Sequence, residues 1–488
     1  MPDTLAVVDL GSNSFRLEIG RVEGDQIYRL DTWRETLRFG AGLDGKGRIT
    51  PTAARLALAC LARFRERLSG VHPSAVRAVG TNTFRVAGNA AQFLPQAERA
   101  LGVPIDIIPG AEEARLIYLG AAHELSPSPR ARLVIDIGGG STEFIIGRNF
   151  EPERLESLTI GCVDITRRFF ADGNISAAVL RAAETVARAE IEGIAQDFGP
   201  AHWQDAYASS GTASALAEIL EQNGFSEAGI TPAGLARLRR RLIAAGRVEN
   251  LRLHALKPER LPVLAGGLVI MNAAMAELKV ERIDAVGGAL RLGVLYDLLG
   301  RTTARDAREA TVQRFTERYG VEPGHADHVR ELATRLLRQC LPEADSDALR
   351  LLGWSARLHE IGMSVSHLGF HKHGAYILQH ADMPGFSARE QQRLAWLVLG
   401  CRGGLSKVGG ALADPLFRAQ VLALRLAVII HHARAQVASP RISLQLGPPI
   451  RFSVSARWLK SHPLSAHLLD KERLQWVGMG FAWKRDAA

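Results

Sequence analysis

Several features are scarce in this chain of 488 residues, and each scarcity excludes a class of protein. Its cysteines lie far apart and form no C-x-x-C pair: Cys60, Cys162, Cys340 and Cys401. This pattern predicts reduced structural thiols and a cytoplasmic chain rather than a disulfide framework. No apolar run approaches the ~20 residues of a membrane-spanning helix, so stable membrane insertion is not expected. Residues 1–20 also lack the basic start and the cleavage site of a signal peptide.

Composition excludes disordered and fibrous proteins and leaves the partner open. Hydrophobic residues make up 47% and charged residues 23%, which is ordinary globular usage. The formal net charge is +9, and a basic chain favours anionic partners such as nucleic acid or phosphate-rich polymers. An arginine-rich composition produces the same excess without any such partner, so charge alone does not assign a function.

The pattern of elements changes along the chain. Strand and helix patterns alternate up to about residue 300, and mostly helical patterns follow, with a short β-like tail near 441–454. The breaker cluster SPSPR at 126–130 predicts a first domain boundary. We therefore predict α/β domains over 1–125 and 126–300 and a helical domain with a short tail subdomain over 301–488.

An internal repeat connects the two α/β domains. Residues 9–20 read DLGSNSFRLEIG and residues 136–147 read DIGGGSTEFIIG, and each follows an apolar strand. The copies share Asp at the first position, Gly at the third and Ile-Gly at the end. This duplication predicts two similar strand–loop–strand units that face each other across a cleft.

The repeated loop has the chemistry of a phosphate site. Asp9 and Asp136 end buried strands, where a carboxylate can hold a divalent cation. The small residues that follow let backbone N–H groups point inward and form an anion-binding nest. A single glycine-rich turn is explained as a hairpin turn, but such a turn has no reason to repeat its Asp. We predict a phosphate held from both sides with metal between the loops, and hydroxyl donors at Ser12, Ser14, Ser141 and Thr142.

Motifs along essentially the whole chain resemble those of one family, and they occur in its order. The family is the exopolyphosphatase/guanosine pentaphosphate phosphohydrolase (Ppx/GppA) branch of the actin-like ATPase superfamily. The motifs are DLGSNSFRL at 9–17, GTNTFRVAGN at 80–89, GAEEARLIYLG at 110–120, VIDIGGGSTEFIIG at 134–147, SGT at 210–212, GGALRLGVLY at 287–296, LHEIG at 358–362 and HKHGAYIL at 371–378.

The resemblance implies a fold and a reaction. The fold is α/β, with two actin-like (ribonuclease H-like) domains around a cleft, followed by a mostly helical HD-like C-terminal domain. The reaction is metal-assisted hydrolysis of the terminal phosphate of inorganic polyphosphate, or of the 5′ γ-phosphate of guanosine pentaphosphate. The implied cofactor is Mg²⁺, a monovalent cation such as K⁺ stays open, and a homodimer is expected.

The resemblance also assigns residues. Glu113 matches the family base, Glu143 falls on a catalytic and metal position, and Asp136 falls on a metal position, to which the repeat adds Asp9. An in-line water needs a carboxylate to orient it, and phosphate suits a guanidinium such as that of Arg85. The predicted phosphate-binding residues are Gly11, Ser12, Asn13, Ser14, Arg85, Gly138, Gly139, Gly140, Ser141, Thr142 and Gly211.

Some positions depart from the patterns of related domains. His359-Glu360 stands where metal-binding HD domains have His-Asp, and Ala427-Val428 stands where those domains often carry Asp. We therefore predict that the histidines of 359–373 are structural or contact anions, and whether the histidines of 325–373 contact substrate stays open. Glu112 and Glu113 diverge by ~100° around their helix, so only one should face the cleft.

Alternative functions remain open at the level of sequence. Exopolyphosphatase is favoured slightly over guanosine pentaphosphate phosphohydrolase by GGGST at 138–142 and HKHGAYIL at 371–378. An actin-like kinase would need an Asp base for a sugar hydroxyl, and a regulator would bind nucleotide or polyphosphate without turnover. No nucleic-acid partner is expected, because no nucleic-acid-binding motif accompanies the basic charge.

Overall fold

A computed structural model describes the chain over residues 3–126, 128–301, 306–434 and 440–487. Pro127, inside the predicted breaker cluster, lies outside the described residues. The chain divides into two compact units, Met1–Asp306 and Ala307–Ala488. No helix within the described ranges is both long enough and apolar enough to cross a bilayer.

The first lobe of Met1–Asp306 is a sheet with helices packed against it. Its elements are β1 (Thr4–Leu10), β2 (Ser14–Glu23), β3 (Gln26–Thr36), α1 (Pro51–Arg67), β4 (Val76–Gly80), α2 (Asn82–Val86), α3 (Ala90–Leu101), β5 (Ile105–Ile107) and α4 (Gly110–Glu124). The strand order is β3-β2-β1-β4-β5. The apolar β1 is central, antiparallel to β2 and parallel to β4. The Thr50 side chain accepts from the Ala53 N–H and caps α1, and Pro51 occupies the first turn, where a missing N–H costs nothing.

The second lobe repeats this arrangement. Its elements are β6 (Arg132–Ile137), β7 (Thr142–Arg148), β8 (Glu151–Leu158), α5 (Cys162–Phe169), α6 (Ala177–Glu192), α7 (Ala195–Phe198), β9 (Asp205–Ser209), α8 (Ser210–Gln222), α9 (Pro232–Ala245), α10 (Leu264–Glu277), β10 (Asp284–Ala285) and α11 (Leu290–Arg301). The strand order is β10-β9-β6-β7-β8, which is the order of the first sheet with β6 in the place of β1. The duplicated sequence therefore forms the central hairpin of both sheets.

Helices α4 and α11 cross at very short range. A Cβ added to Gly293 would lie 1.7 Å from the Leu116 carbonyl oxygen, and one added to Gly120 would lie 2.2 Å from the Ala289 oxygen. Only glycine allows this approach. The contact brings α11 back against the first lobe and fixes α4, whose first turn carries Glu112 and Glu113.

The unit Ala307–Ala488 is mostly helical around its own apolar core. Its elements are α12 (Ala307–Arg318), α13 (Pro323–Cys340), α14 (Ser346–Leu358), α15 (Phe370–His380), α16 (Ala388–Gly400), α17 (Pro415–Ile430), β11 (Ile442–Gln445), β12 (Ile450–Val454), α18 (Ala456–Ser461), α19 (Pro463–Gly478) and β13 (Trp483–Ala487). The β-like tail is a sheet in the order β11-β12-β13. Helix α19 extends the tail beyond the predicted strands.

The predicted fold class is confirmed: two α/β lobes of actin-like type are followed by a mostly helical unit. The sequence patterns did not predict β3 and β8. Strand β3 is largely exposed, so its side chains show no alternation of apolar and polar residues, and its backbone pairing with β2 defines it. The predicted domain boundaries at 125 and 300 stay predictions.

Candidate active site

A polar cleft opens between the two lobes, where the β1–β2 and β6–β7 turns face each other. Its open volume is about 770 Å³. Most of the predicted site residues line it: Asp9, Gly11, Ser12, Asn13, Ser14, Glu113, Asp136, Gly138, Gly139, Gly140, Ser141 and Gly211. The structure thus gathers around one cavity residues that lie up to two hundred positions apart in the sequence.

The two turns touch each other, and glycine makes this possible. A Cβ on Gly140 would lie 2.2 Å from Asn82 Nδ2, and one on Gly139 would lie 3.2 Å from Ser12 Cβ. Asn82 Nδ2 donates to the Gly140 carbonyl oxygen at 2.9 Å, which joins the first lobe to the second. Phosphate held here would meet backbone N–H groups from both turns.

The repeated aspartates have different partners across their hairpins. Asp9 lies opposite Arg16, whereas Asp136 lies opposite Glu143. Burial raises the pKa of Asp136 to about 6, the Ser209 hydroxyl that donates to Oδ2 lowers it, and the charge of Asp9 raises it further. Burial also raises the pKa of Asp9, against the nearby guanidinium of Arg291. At this position the second copy therefore carries two carboxyl groups, whereas the first copy carries one carboxyl group and one guanidinium.

Glu113 is held at the cleft by an arginine. Arg85 Nη1 donates to Glu113 Oε2 at 2.6 Å and to the Ile108 carbonyl oxygen at 3.0 Å. Burial raises the pKa of Glu113, and Arg85 acts in the opposite direction. Arg85 is not among the residues that line the cleft, so in this structure its guanidinium contacts the carboxylate rather than the phosphate site.

Glu143 and Thr142 lie behind the surface of the cleft. Glu143 Oε1 accepts from the Ser157 hydroxyl at 2.9 Å, and the Thr142 hydroxyl donates to the Ile160 carbonyl oxygen at 2.6 Å. Burial raises the pKa of Glu143 well above its ordinary value, and the charges of Glu113 and Asp136 add to the rise. Glu143 is thus a buried acid at the back of the site, and the Thr142 hydroxyl is engaged inside its own lobe.

The two adjacent glutamates of α4 point in different directions. Glu112 Oε2 accepts from Arg115 Nε at 2.7 Å, and Arg115 also contacts Asp297 on α11. Arg77 Nη1 reaches the same Asp297 at 2.6 Å. Glu112 therefore belongs to a buried ion-pair network that fixes α4, and Glu113 faces the cleft.

Comparison with known proteins identifies the family. Residues 19–302 match the model of the Ppx/GppA phosphatase family, and residues 307–473 match domain III of the same family. The chain belongs to the Ppx/GppA phosphatase family. The resemblance predicted from the motifs is confirmed, and with it the class of phosphoanhydride hydrolase.

Relatives of this Ppx/GppA family member match either nearly the whole chain or about three fifths of it. The chain is 36% identical over 481 residues to guanosine-5′-triphosphate,3′-diphosphate pyrophosphatase of Photobacterium profundum, a match that covers 98% of this chain and 96% of the relative. An exopolyphosphatase from Cytophaga hutchinsonii is 26% identical, with a TM-score of 0.55 over 61% of this chain and 98% of that one. The Aquifex aeolicus family member, at 22% identity and TM-score 0.52 over 62% of this chain and 98% of that one, shows the same fold.

Arginines that the sequence analysis missed also line the cleft of this family member: Arg16, Arg260 and Arg291. Arg16 occupies the repeat position of Glu143, so the alignment of the two copies could have revealed it. Arg291 lies within the GGALRLGVLY motif, and Arg260 carries no signal in the sequence. A Cβ on Gly211 would lie 1.7 Å from Arg260 Nη2, so this glycine admits the guanidinium. Burial and the neighbouring Arg291 lower the pKa of Arg16 to about 10, although the charge of Asp9 raises it, and Arg291 itself donates to Glu18 Oε2 at 2.8 Å.

The cleft offers Mg²⁺ the oxygen ligands that it prefers. Asp9, Asp136 and Glu113 line the cavity, and burial is the largest cause of the raised pKa of each carboxyl, so a bound cation would stabilise their ionised forms. Among the described residues, Asp9, Asp136 and Glu143 do not form a set whose ligand atoms all lie within 4.8 Å of one another. Mg²⁺ usually keeps several waters and takes one or two carboxylates plus substrate phosphates, so an open set of this kind fits it.

A closer set of ligand types occurs in the helical unit. His325, His359 and Glu360 bring ligand atoms within 4.8 Å of one another. The His359 Nδ1 bonds the Ala356 carbonyl oxygen at 2.6 Å, which turns Nε2 towards Glu360. The guanidinium of Arg434 donates to the same Glu360 carboxylate, so the set already contains a cation. This arrangement agrees with a structural or anion-contacting role for His359, which stays a prediction.

Proposed function

We propose that this enzyme releases the terminal phosphate of inorganic polyphosphate by metal-assisted hydrolysis. One arrangement carries the proposal: the Glu113 carboxylate, fixed by Arg85 at 2.6 Å, lines the same cleft as the two duplicated glycine-rich turns. A terminal phosphate bound by the turns would lie beside a carboxylate that can act on water. A sugar hydroxyl acceptor is not needed for such chemistry.

The charge distribution of the cleft suits a chain of phosphates. Arg16, Arg260 and Arg291 line it and can pair with successive phosphate groups. Among the described residues that line the cleft there is no aromatic ring on which a base would stack. Both observations favour inorganic polyphosphate over a nucleotide as the substrate.

In the proposed reaction, Glu113 orients a water molecule and accepts its proton. Arg85 lowers the pKa of this carboxylate against the effect of burial and so favours the ionised form that can accept the proton. The water oxygen forms a new bond to the terminal phosphorus while the bridging P–O bond breaks, and the electron pair leaves with the oxygen of the shortened chain. Hydrogen bonds from the turns stabilise the charge that develops on the transferred phosphoryl oxygens.

Asp136 would hold Mg²⁺, with Asp9 and Glu143 as further oxygen ligands. When bound, Mg²⁺ supplies positive charge against the phosphate oxygens. Its binding requires ionised carboxylates, and the raised pKa of Asp136 therefore makes metal affinity dependent on pH below about 6. A role for K⁺, a homodimer and a cytoplasmic location stay predictions.

A second candidate substrate is guanosine pentaphosphate, cleaved at its 5′ γ-phosphate. It is favoured by the relative from Photobacterium profundum, which is named for guanosine-5′-triphosphate,3′-diphosphate and matches 98% of this chain. The same cleft residues would act on the terminal phosphate of either substrate. The candidates differ only in the group to which that phosphate is attached.

Orthophosphate release from purified enzyme tests the proposal. Polyphosphate and guanosine pentaphosphate are offered separately with Mg²⁺, and Glu113→Gln is the matched inactive control. Release from polyphosphate that the variant lacks supports the first candidate, and release from guanosine pentaphosphate alone supports the second. Phosphate transfer that requires an added sugar would instead show a kinase, and binding without release would show a regulator.

A further inference from the structure

A second pocket lies behind the phosphate-binding turns. It has an open volume of about 600 Å³ and takes its walls from both lobes. Ser12, Gly139 and Gly140 line this pocket and also line the cleft. The partition between the two cavities is therefore one residue thick, and it consists of the turns that would hold the terminal phosphate.

One described hydrogen bond crosses the partition from lobe to lobe, and further bonds hold each turn inside its own lobe. Asn82 Nδ2 on α2 donates to the Gly140 oxygen at 2.9 Å, and the Thr83 hydroxyl donates to the Ser12 hydroxyl at 2.8 Å. Asn82 belongs to the first lobe and Gly140 to the second, so a small separation of the lobes would break this bond. The wall can then open without unfolding either sheet.

Hydrolysis of a long chain creates a need for such an opening. The cleaved orthophosphate lies against the turns at the bottom of the cleft, and the shortened chain still fills the space above it. If the cleft were the sole way out, the chain would have to dissociate after every cleavage. A passage through the partition lets the product leave while the chain remains bound.

We propose that the second pocket is the exit route of orthophosphate, and that the Asn82–Gly140 hydrogen bond is its latch. The proposal rests on the hydrolysis proposed above. The lining fits a passage rather than a storage site, because apolar side chains of Leu43, Val86 and Val163 alternate with polar groups and would hold an anion weakly. Arg167 also lines the pocket, and its exposed guanidinium, which pairs with the Asp164 carboxylate at 2.9 Å, can exchange that partner for a passing phosphate.

A bulky side chain at the edge of the pocket tests the route. Val86 is 51% exposed, so Val86→Trp should fill the pocket without disturbing a core, and Leu56→Trp, at 49% exposure on α1, is the matched control. Cleavage within a single turnover is measured by rapid quench, and free orthophosphate by a fluorescent phosphate-binding protein. We expect unchanged cleavage in Val86→Trp, with release that lags behind it and a kcat lower by about tenfold. Because only product release slows, KM should fall with kcat, and kcat/KM should stay constant.

Two further variants make the result independent of one substitution. Val163→Tyr fills the same pocket from the second lobe and should reproduce the lag if Val86→Trp fails to fold. Asn82→Ala loosens the latch and should make release at least as fast as in the wild type. Slower release in Asn82→Ala would refute the latch.

The remaining outcomes separate the two proposals. If orthophosphate is released as fast as it is cleaved in both Val86→Trp and Val163→Tyr, the exit route is overturned, although the proposed hydrolysis stands. A higher KM for guanosine pentaphosphate without any lag would show that the pocket binds a nucleoside, and this also overturns the exit route. If the wild-type enzyme releases no phosphate from either substrate, the proposed function fails.

Discussion

Replacing Asp136 with asparagine should stabilise the metal-free enzyme at alkaline pH, although the same residue is our proposed metal ligand. Burial is the main reason that the pKa of this carboxyl rises from its ordinary 3.8 to about 6. Because the folded protein holds the proton more tightly than the unfolded chain does, the free energy of unfolding falls as pH rises from about 4 to about 6, and then it stays level.

The magnitude follows from the size of the shift. A pKa higher by about two in the folded protein, at ~1.4 kcal/mol for each, corresponds to about 3 kcal/mol above pH 7. At pH 5, between the two pKa values, the same linkage gives about half of this free energy. Asparagine is neutral, similar in shape, and can still accept the hydrogen bond from Ser209, so it should recover most of this free energy. At about 2 °C per kcal/mol, the melting temperature should rise by about 6 °C at pH 8.

Scanning calorimetry in EDTA at pH 5 and pH 8 measures this effect. Asp25→Asn, on the exposed β2–β3 turn, is the control for loss of an aspartate. With Mg²⁺ added, the wild type should gain stability by mass action and Asp136→Asn should not. A melting temperature of Asp136→Asn at or below that of the wild type in EDTA at pH 8 would refute the argument from burial. Equal stabilisation of both proteins by Mg²⁺ would refute Asp136 as a ligand.

Three further predictions concern the reaction. Glu113→Gln should lower kcat by ~10²–10⁴ while polyphosphate binding, measured by calorimetry, stays nearly intact; a kcat near that of the wild type and of the surface control Glu124→Gln would rule out a base at this position. Arg85→Ala removes the cation that lowers the pKa of Glu113, so the acid limb of the kcat/KM profile between pH 5 and 9 should move to higher pH, and an unmoved limb would contradict the pairing. Arg260→Ala should raise KM for polyphosphate and weaken its dependence on salt, with a smaller effect on kcat; an unchanged KM would exclude a contact between this guanidinium and substrate.

The sequence predicted the parts of the site that are repeated or adjacent. The two copies of the Asp-Gly loop pointed to a cleft because a duplicated unit builds two sheets with the same strand order, and the structure has that order. The angular separation of Glu112 and Glu113 around α4 predicted that one of them faces the cleft, and Glu113 does so. Local periodicity and duplication are sufficient for such inferences, since both can be read from the sequence without knowledge of the tertiary contacts.

The parts that could not be predicted depend on distant contacts. Arg260 reaches the cleft only because Gly211 leaves room for its guanidinium, and nothing near either residue in the sequence indicates this. Arg85 was assigned to phosphate by its motif, but the fold places Glu113 within 2.6 Å of it. Burial, which raises the pKa values of Asp136 and Glu143, is likewise a property of the assembled lobes.

The difference between the two copies of the hairpin indicates how the site is divided. In the first copy an arginine faces the repeated aspartate, and in the second copy a glutamate takes the same place: Arg16 opposite Asp9, and Glu143 opposite Asp136. The first pair can balance its own charge, so it is suited to contact phosphate. The second pair cannot, because two carboxylates in a buried site repel each other unless a proton or a cation lies between them. Since one hairpin geometry serves both copies, we expect this single exchange of charge to favour a divalent cation at the second copy, with the phosphate held by the turns of both copies.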